Sequence, residues 1–437
     1  MYRNLVFGVN TLVPITNDKK VPYINFDNGA TTPPFCSVID GINHFSSLYS
    51  SIHRGTGYKS IVSSNFYDNA REIVLDFVKG DPRYHELIFV KNTTEAINKL
   101  SYRLLEDNKN SIVLSTFMEH HSNDLPWRNK YNVDYVDIDS SGRLSLDDLE
   151  YKLKKHKGKV KLVTVTGASN VTGYINPIHE IAEISHKHGA KILVDGAQLV
   201  PHYPVDMKPF NSSEHIDYLA FSAHKMYAPF GTGVLIGPKE TFKKGDPEFM
   251  GGGTANIVTP DFVLWEDPPN KEEAGTPNLL GVVALVHSIK ILKNIGMENI
   301  DEHEKLLAGY ALEKIKNIPN INLYCDSTIY NRVSIIPFNI EGIHHEKVAE
   351  ILAAEGGIAV RSGCFCAQPY IQKLLKVNTE DMEKYRKDPT LPRPGMVRIS
   401  FGIYNNFEEI NIFMKLLEDI AVNIEKYNNK YRKPPFS

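Results

Sequence analysis

The chain has 437 residues, with 49 Lys and Arg against 52 Asp and Glu and a net charge of -3 at pH 7. That balance argues against nucleic acid or an anionic membrane as its main partner. Its 42 % apolar and 23 % charged residues suit a globular protein with one large and one smaller domain.

Cys36, Cys325, Cys364 and Cys366 are too few and too scattered for a disulfide framework. Residues 1–10 carry no cationic segment followed by an apolar core, and no apolar run is long enough to span a bilayer, so the cytosol is expected.

From Asn25 to Val234, short β-branched or aromatic runs alternate with helix-like stretches. Strands are predicted at 87–90, 112–115, 135–138, 162–166, 192–194, 218–221 and 234–236, with helices at 94–105, 146–154 and 178–188 among them. This alternation predicts an α/β fold with a mostly parallel sheet, whose ligands gather at the carboxyl ends of the strands. After Gly281 a long helix runs through Leu292. Strands at 334–338, 358–361 and 397–401, separated by helices at 346–355 and 408–424, then predict a smaller α+β domain. The expected division is an N-terminal segment 1–24, a large domain 25–290 and a small domain 291–437, with a frayed polar tail from Asn428.

The chemistry centres on two strand ends. Phe221-Ser222-Ala223-His224-Lys225 follows one β-like run, and Val194-Asp195-Gly196-Ala197-Gln198 closes another. A strand-end lysine beside a hydroxyl and an imidazole suits an amine that holds an aldehyde cofactor. A strand-end carboxylate suits the protonated pyridine nitrogen of pyridoxal phosphate. Most lysines are solvated surface charges, so this reading rests on the pair.

Further candidates each carry a plainer alternative. Thr93 and Thr94 stand where a strand turns into a helix, either at a phosphate site or as ordinary N-caps, with Glu95 favourable in the first turn. In Met118-Glu119-His120-His121 a metal reading lacks further ligands at suitable spacing. A histidine stacked on a cofactor ring and a surface loop remain. Asn170, in Ser169-Asn170-Val171-Thr172-Gly173, is a candidate for a ring oxygen or a substrate carboxylate, or a turn residue. Arg398, inside a strand-like run, needs a partner: a substrate carboxylate or a structural salt bridge. In Arg361-Ser362-Gly363-Cys364-Phe365-Cys366-Ala367-Gln368-Pro369, two cysteines one residue apart lie in a Gly- and Pro-marked loop. Metal is disfavoured there for want of a second closely spaced pair.

Taken in order, these blocks resemble the pyridoxal phosphate-dependent class V aminotransferase superfamily, and within it the group II cysteine desulfurases and selenocysteine lyases. Phe26-Asp27-Asn28-Gly29-Ala30-Thr31-Thr32, His53-Arg54-Gly55 and Glu273-Ala274-Gly275-Thr276-Pro277-Asn278 extend the resemblance over most of the chain. It implies a type I PLP-transferase fold and a homodimer.

By matching position, Lys225 holds the cofactor, His120 stacks on its ring, Asp195 pairs with the ring nitrogen and Gln198 with the phenolic oxygen. Thr93, Thr94, Ser222 and His224 belong to the phosphate end, with Thr276 supplied by the partner subunit. Asn170, Arg361 and Arg398 fall to the substrate. Cys366 is the thiol that takes sulfur from L-cysteine, leaving L-alanine, before a sulfur-acceptor protein receives it.

Three departures from the family pattern stand out. Cys364-Phe365 occupy positions where two histidines are usual, and the Gly-Cys-Phe-Cys run also resembles molybdenum-cofactor sulfurases. Residues 378–395 lengthen the loop before Arg398, to cover the site or reshape an acceptor surface. Gly29 replaces a common alanine.

In an extended loop Cys364 and Cys366 would face the same side, within reach of each other, whereas a tightly strained loop would separate them. Arg361, a protonated His120 or the cofactor assembly would supply positive charge to the Cys366 thiolate. The competing readings are an aminotransferase, epimerase or C–S lyase, which needs no Cys366, and a silent scaffold, against which Lys225, Asp195 and His120 speak.

Overall fold

The computed structural model describes residues 2–16, 18–105, 111–388 and 390–431. Its spine is a seven-stranded sheet in the order His85–Val90, Gly233–Pro238, Tyr218–Ser222, Lys191–Asp195, Val160–Thr166, Ile112–Thr116, Asn132–Val136. Every pair is parallel except the two made by Gly233–Pro238. Runs such as Leu219-Ala220-Phe221 are apolar without alternation and fully buried, as expected of strands covered on both faces. Leu219 and Phe221 pack with the helix Leu279–Ile295 on one face. Ala220 faces the other way, toward Ile97 and Leu100 of the helix Thr93–Arg103. The α/β fold with a mostly parallel mixed sheet is therefore as read from the sequence.

A second, antiparallel sheet runs Ile321–Leu323, Ile335–Ile340, Met396–Ser400, Arg361–Gly363. The helices His345–Gly356 and Phe407–Val422 share its core. Ile24 and Phe26, from near the start of the chain, belong to this core too. Phe26 meets Phe401 and Phe413 edge-on, and Ile24–Asn25 pairs in parallel with Ile358–Ala359.

Some boundaries differ from the predicted ones for physical reasons. The single strand predicted at 358–361 is two: Ile358–Ala359 joins the N-terminal strand, and after Val360 the chain switches to Arg361–Gly363 beside Met396–Ser400. The strand predicted at 135–138 lies at Asn132–Val136, because the Asp137 N–H leaves the sheet to donate to the Asp148 carboxylate. Residues 378–395 contain the helix Thr379–Lys387, Pro389 lying outside the described residues. Of the predicted frayed tail, Asn428 to Lys430 are helical, and residues 432–437 lie outside the described residues.

Candidate active site

The parallel strands end side by side, and their last residues open into a cavity of about 330 Å³. Thr166, Asp195 and Ser222 each close a strand, while His120 follows the strand Ile112–Thr116. Gly233 pairs with both Val90 and Ser222, and a Cβ there would lie 2.6 Å from the Asn92 backbone. Glycine is what lets the Asn92-Thr93 turn sit against the end of Tyr218–Ser222. Every expected site residue except Thr276 lines this cavity. Thr276 lines a separate surface cavity with Ser51, His53 and Arg54.

Lys225 ends the 3-10 turn Ala223–Lys225, is half-buried and lines the cavity. Burial brings its amine down to about 8, partly opposed by the Asp195 carboxylate. Asp195 is pushed up by burial, and its Oδ1 accepts from the Ala197 N–H at 3.0 Å. His120 is driven down to about 3 by burial and then by Lys225, so its ring is neutral. Its Nδ1 accepts from the Ser122 N–H at 3.0 Å, which leaves the proton on Nε2. A protonated His120 is thereby removed as a source of positive charge for the thiolate. His224 is likewise held down, to about 4. Gln198 donates from Nε2 to the Gly29 carbonyl, while its Oε1 is buried without a partner among the described residues.

At the other end of the cavity, Asn92, not Thr93 or Thr94, caps the helix Thr93–Arg103 by accepting from the Glu95 N–H. The two threonine hydroxyls are thus released from capping. Thr93 Oγ1 lies 2.6 Å from Ser222 Oγ, which also accepts the Thr93 N–H, and Thr94 Oγ1 lies 2.7 Å from Ser122 Oγ. Hydroxyls clustered on a helix N-terminus suit an anion.

Arg398 is buried, and its guanidinium donates to the Asn170 carbonyl at 2.8 Å and to Asp27 Oδ1 at 3.2 Å. Arg361 meets the other Asp27 oxygen at 2.7 Å. The structural salt bridge is therefore present, yet Arg398 Nε stays buried without a partner among the described residues. Arg398 also lines the cavity, so a carboxylate entering it meets the guanidinium. Burial pulls Arg398 down to about 10, still protonated at neutral pH.

The cysteine loop is held from three sides. Asn170 Nδ2 donates to the Phe365 carbonyl at 2.6 Å, the His121 N–H donates to the Cys366 carbonyl at 2.6 Å, and His121 Nε2 accepts from the Gln368 N–H at 3.2 Å. Phe365 and Cys366 are consecutive non-glycine residues at positive φ, 50° and 54°. Such geometry costs about 1–3 kcal/mol per residue and persists only where the surroundings enforce it. The turn is tight rather than extended, so the two thiols separate. Cys366 is exposed and lines the main cavity, whereas Cys364 lines another cavity with His345, Gln368 and Tyr385. Residues 378–395 border that second cavity through Met382, Tyr385, Arg386 and Arg393.

Sequence reasoning assigned no role to Asp27, Ser122, Thr166 or His121. Nor did it assign one to Glu119, which accepts from Thr116 Oγ1, Asn123 Nδ2 and the Thr166 N–H and so fixes the turn that presents His120. Burial pushes Glu119 up to about 8. The Glu-His-His run contained the signal: the first fixes the turn, the second lines the cavity, and the third latches the cysteine loop.

The profile of the class-V aminotransferase family matches residues 24–413. A probable cysteine desulfurase of Halalkalibacterium halodurans is 35% identical over 405 residues, covering 91% of this chain and 93% of its own. A cysteine desulfurase of Haloferax volcanii is 34% identical, with 90% and 88% covered. Among solved structures, the apo cysteine desulfurase of Thermococcus onnurineus is similar with a TM-score of 0.81 at 32% identity, covering 92% of this chain and 95% of that one. With strand-end Asp195 and Lys225 in one cavity and this match along nearly its whole length, the chain belongs to the class-V aminotransferase family.

Proposed function

We propose that the protein is a pyridoxal phosphate-dependent cysteine desulfurase that converts L-cysteine to L-alanine and carries the sulfur as a persulfide on Cys366. The observation that carries this reading is that Cys366 and the half-buried Lys225 line one cavity with Asp195 and Arg398. An aminotransferase has no use for an exposed thiol there.

The donor set fits the cofactor. An amine of lowered pKa, a carboxylate at a strand end, the unpartnered Gln198 amide oxygen, and hydroxyls on a helix N-terminus each match a part of it. Lys225 would hold its aldehyde, Asp195 the ring nitrogen, His120 the ring face, and Thr93, Thr94, Ser222 and His224 the phosphate. When bound, the cofactor supplies an electron sink for the substrate Cα.

The chain's own residues do the rest. Arg398, with Arg361 and Asn170 beside it, orients the substrate carboxylate. Lys225 Nζ takes the Cα proton and returns protons to the departing alanine. The Cys366 thiolate attacks the substrate sulfur: an S–S bond forms, the Cβ–S bond breaks, and L-cysteine plus the enzyme thiol becomes L-alanine plus the enzyme persulfide. A reductant or an acceptor protein then removes the outer sulfur. The four free cysteines suit the reducing cytosol, and no single helix among the described residues is long and apolar enough to cross a membrane.

The test is alanine and sulfide release in equal amounts from L-cysteine with a thiol reductant. Amino-group transfer without sulfur release would move the protein to the aminotransferase branch.

Three further outcomes follow from this reading. Arg398→Lys keeps the charge but loses the planar fork, so KM for L-cysteine should rise roughly 10- to 100-fold, as expected when a charge-assisted hydrogen bond is lost. Cofactor uptake by the apoprotein should accelerate with pH, about tenfold per unit, and level off near 8. Only the unprotonated Lys225 amine attacks an aldehyde, and that amine titrates at about 8. A flat profile from pH 6 to 9 on rapid mixing would contradict it.

Sedimentation should give twice the chain mass. The hairpin Ala255–Val258/Val263–Trp265 exposes Ile257, Val258 and Leu264, and its base is tied to the Thr276 segment by the Gly275 N–H to the Gly252 carbonyl. An exposed apolar patch beside a site residue that misses its own cavity supports a two-fold partner. A monomer with full cofactor occupancy would refute it.

A further inference from the structure

At the opposite end of the sheet from the cavity, three side chains converge that the sequence reading did not connect. His186 lies in the last turn of the helix Ile178–Lys187, and His215 and Asp217 lie in the segment leading into Tyr218–Ser222. His186 Nε2 is 2.9 Å from Asp217 Oδ2, and His215 Nε2 is 3.6 Å from Oδ1. One ligand atom from each of the three lies within 4.8 Å of the others.

The remaining ring nitrogens decide what the cluster needs. His186 Nδ1 is 2.7 Å from the Ser213 carbonyl, and His215 Nδ1 is 2.6 Å from the Ser212 carbonyl. Carbonyls only accept, so both Nδ1 atoms carry hydrogen, and in the neutral rings both Nε2 atoms present lone pairs. Two lone pairs and a carboxylate thus point at one another. The gap must be filled by protons or by a cation. A proton on His186 alone pairs it with Asp217 but leaves the His215 Nε2 lone pair facing Asp217 Oδ1 at 3.6 Å, and protons on both rings would stack two imidazolium charges with centroids 4.2 Å apart and planes within 19°. One divalent ion removes that conflict.

Metal-binding histidines characteristically donate their second N–H to a carbonyl or carboxylate, and here both do. Asp217 is itself fixed, Oδ2 accepting from the Ile192 N–H at 2.9 Å. Tetrahedral ligands at zinc distances lie about 3.3 Å apart; here the two histidines face different Asp217 oxygens, at 2.9 and 3.6 Å, and the three ligand atoms all lie within 4.8 Å, so closing on one ion draws them together by at most about 1.5 Å. The histidine side chains keep 18% and 12% exposure, which leaves a fourth position open to water. Two imidazoles and one carboxylate favour zinc over magnesium or calcium, which prefer all-oxygen shells.

We infer that His186, His215 and Asp217 form a binding site for a divalent transition ion, with zinc the best match, remote from the cofactor cavity. The ion ties the end of Ile178–Lys187 to the segment entering the strand whose far end carries Lys225. Its role is structural rather than catalytic.

The test uses chelator-treated holoenzyme titrated with Co(II), then Zn(II). One Co(II) per chain should bind with tetrahedral visible absorption and no thiolate charge-transfer band, and zinc should displace it. In His215→Ala, affinity should fall by more than the roughly 10–100-fold that loss of an outer-shell partner costs, with cofactor absorbance and desulfurase rate unchanged. X-ray absorption at the zinc edge of the wild-type protein should show only nitrogen and oxygen neighbours, a result that needs no variant to fold. The site is overturned by absence of saturable binding, by a thiolate band or sulfur neighbours, or by unchanged affinity in His215→Ala.

Discussion

Cys366→Ala should keep its cofactor and its yellow colour yet lose desulfurase activity by roughly 10³-fold or more, the scale on which removing a nucleophile acts. The thiol acts on the proposed cofactor-holding lysine only as a nearby charge, a smaller influence on the amine than burial and Asp195. It sits on a loop whose hydrogen bonds run through the backbone carbonyls of Phe365 and Cys366, which alanine retains. Alanine at φ 54° meets the same backbone strain as cysteine, so the loop keeps its path. Mass spectrometry after brief exposure to L-cysteine should find one extra sulfur on Cys366, and the label should survive Cys364→Ser because the two side chains face different cavities. Sulfur only on Cys364 would overturn the assignment. No sulfur on either, with steady amino-group transfer, would overturn the function.

Lys225→Ala should abolish borohydride fixation of the cofactor and cost at least the roughly 10²–10⁴-fold attributed to a positioned proton carrier. The lysine is half-buried, its amine is brought to about 8, and Asp195 is the carboxylate that opposes the shift. Lys225→Arg separates charge from chemistry. A guanidinium preserves the positive partner of Asp195 but cannot bond an aldehyde, so it should bind cofactor reversibly and remain as inactive as the alanine variant. Peptide mapping that finds the reduced cofactor on another lysine would sink the assignment.

The sequence made the floor of the cavity legible because each part is a local event: a strand ends, and a polar side chain follows. Asp195, Ser222, Lys225 and His120 could all be found that way. The walls were another matter. Asp27 grips Arg398 from 371 positions away, and no local pattern announces such a pair. Whether Arg398 served a substrate or a salt bridge could not be chosen from its strand, and the fold gives it the salt bridge together with a place on the cavity wall. The tight Phe365-Cys366 turn was equally hidden. Neither residue favours positive φ, and the geometry is imposed by His121 and Asn170 from other elements. The break at Val360 follows the same logic, since it arises from two different partner strands rather than from any breaker in the run.

The pairing of Ile24–Asn25 with Ile358–Ala359 has a consequence for the order of manufacture. At synthesis rates of about 5–20 residues per second, the roughly 330 residues between them take about 20–70 s to appear. Until Ile358, Phe401 and Phe413 are made, Ile24 and Phe26 lack their closest partners, which makes them a handle for chaperones on the nascent chain. Asp27 meanwhile has neither of its arginines. A chain that ends between Lys225 and Arg398 therefore lacks the proposed carboxylate clamp even though Lys225 and Asp195 are already made. On the proposed role of Arg398, such unfinished copies would hold substrate poorly, and sulfide release belongs to the finished chain.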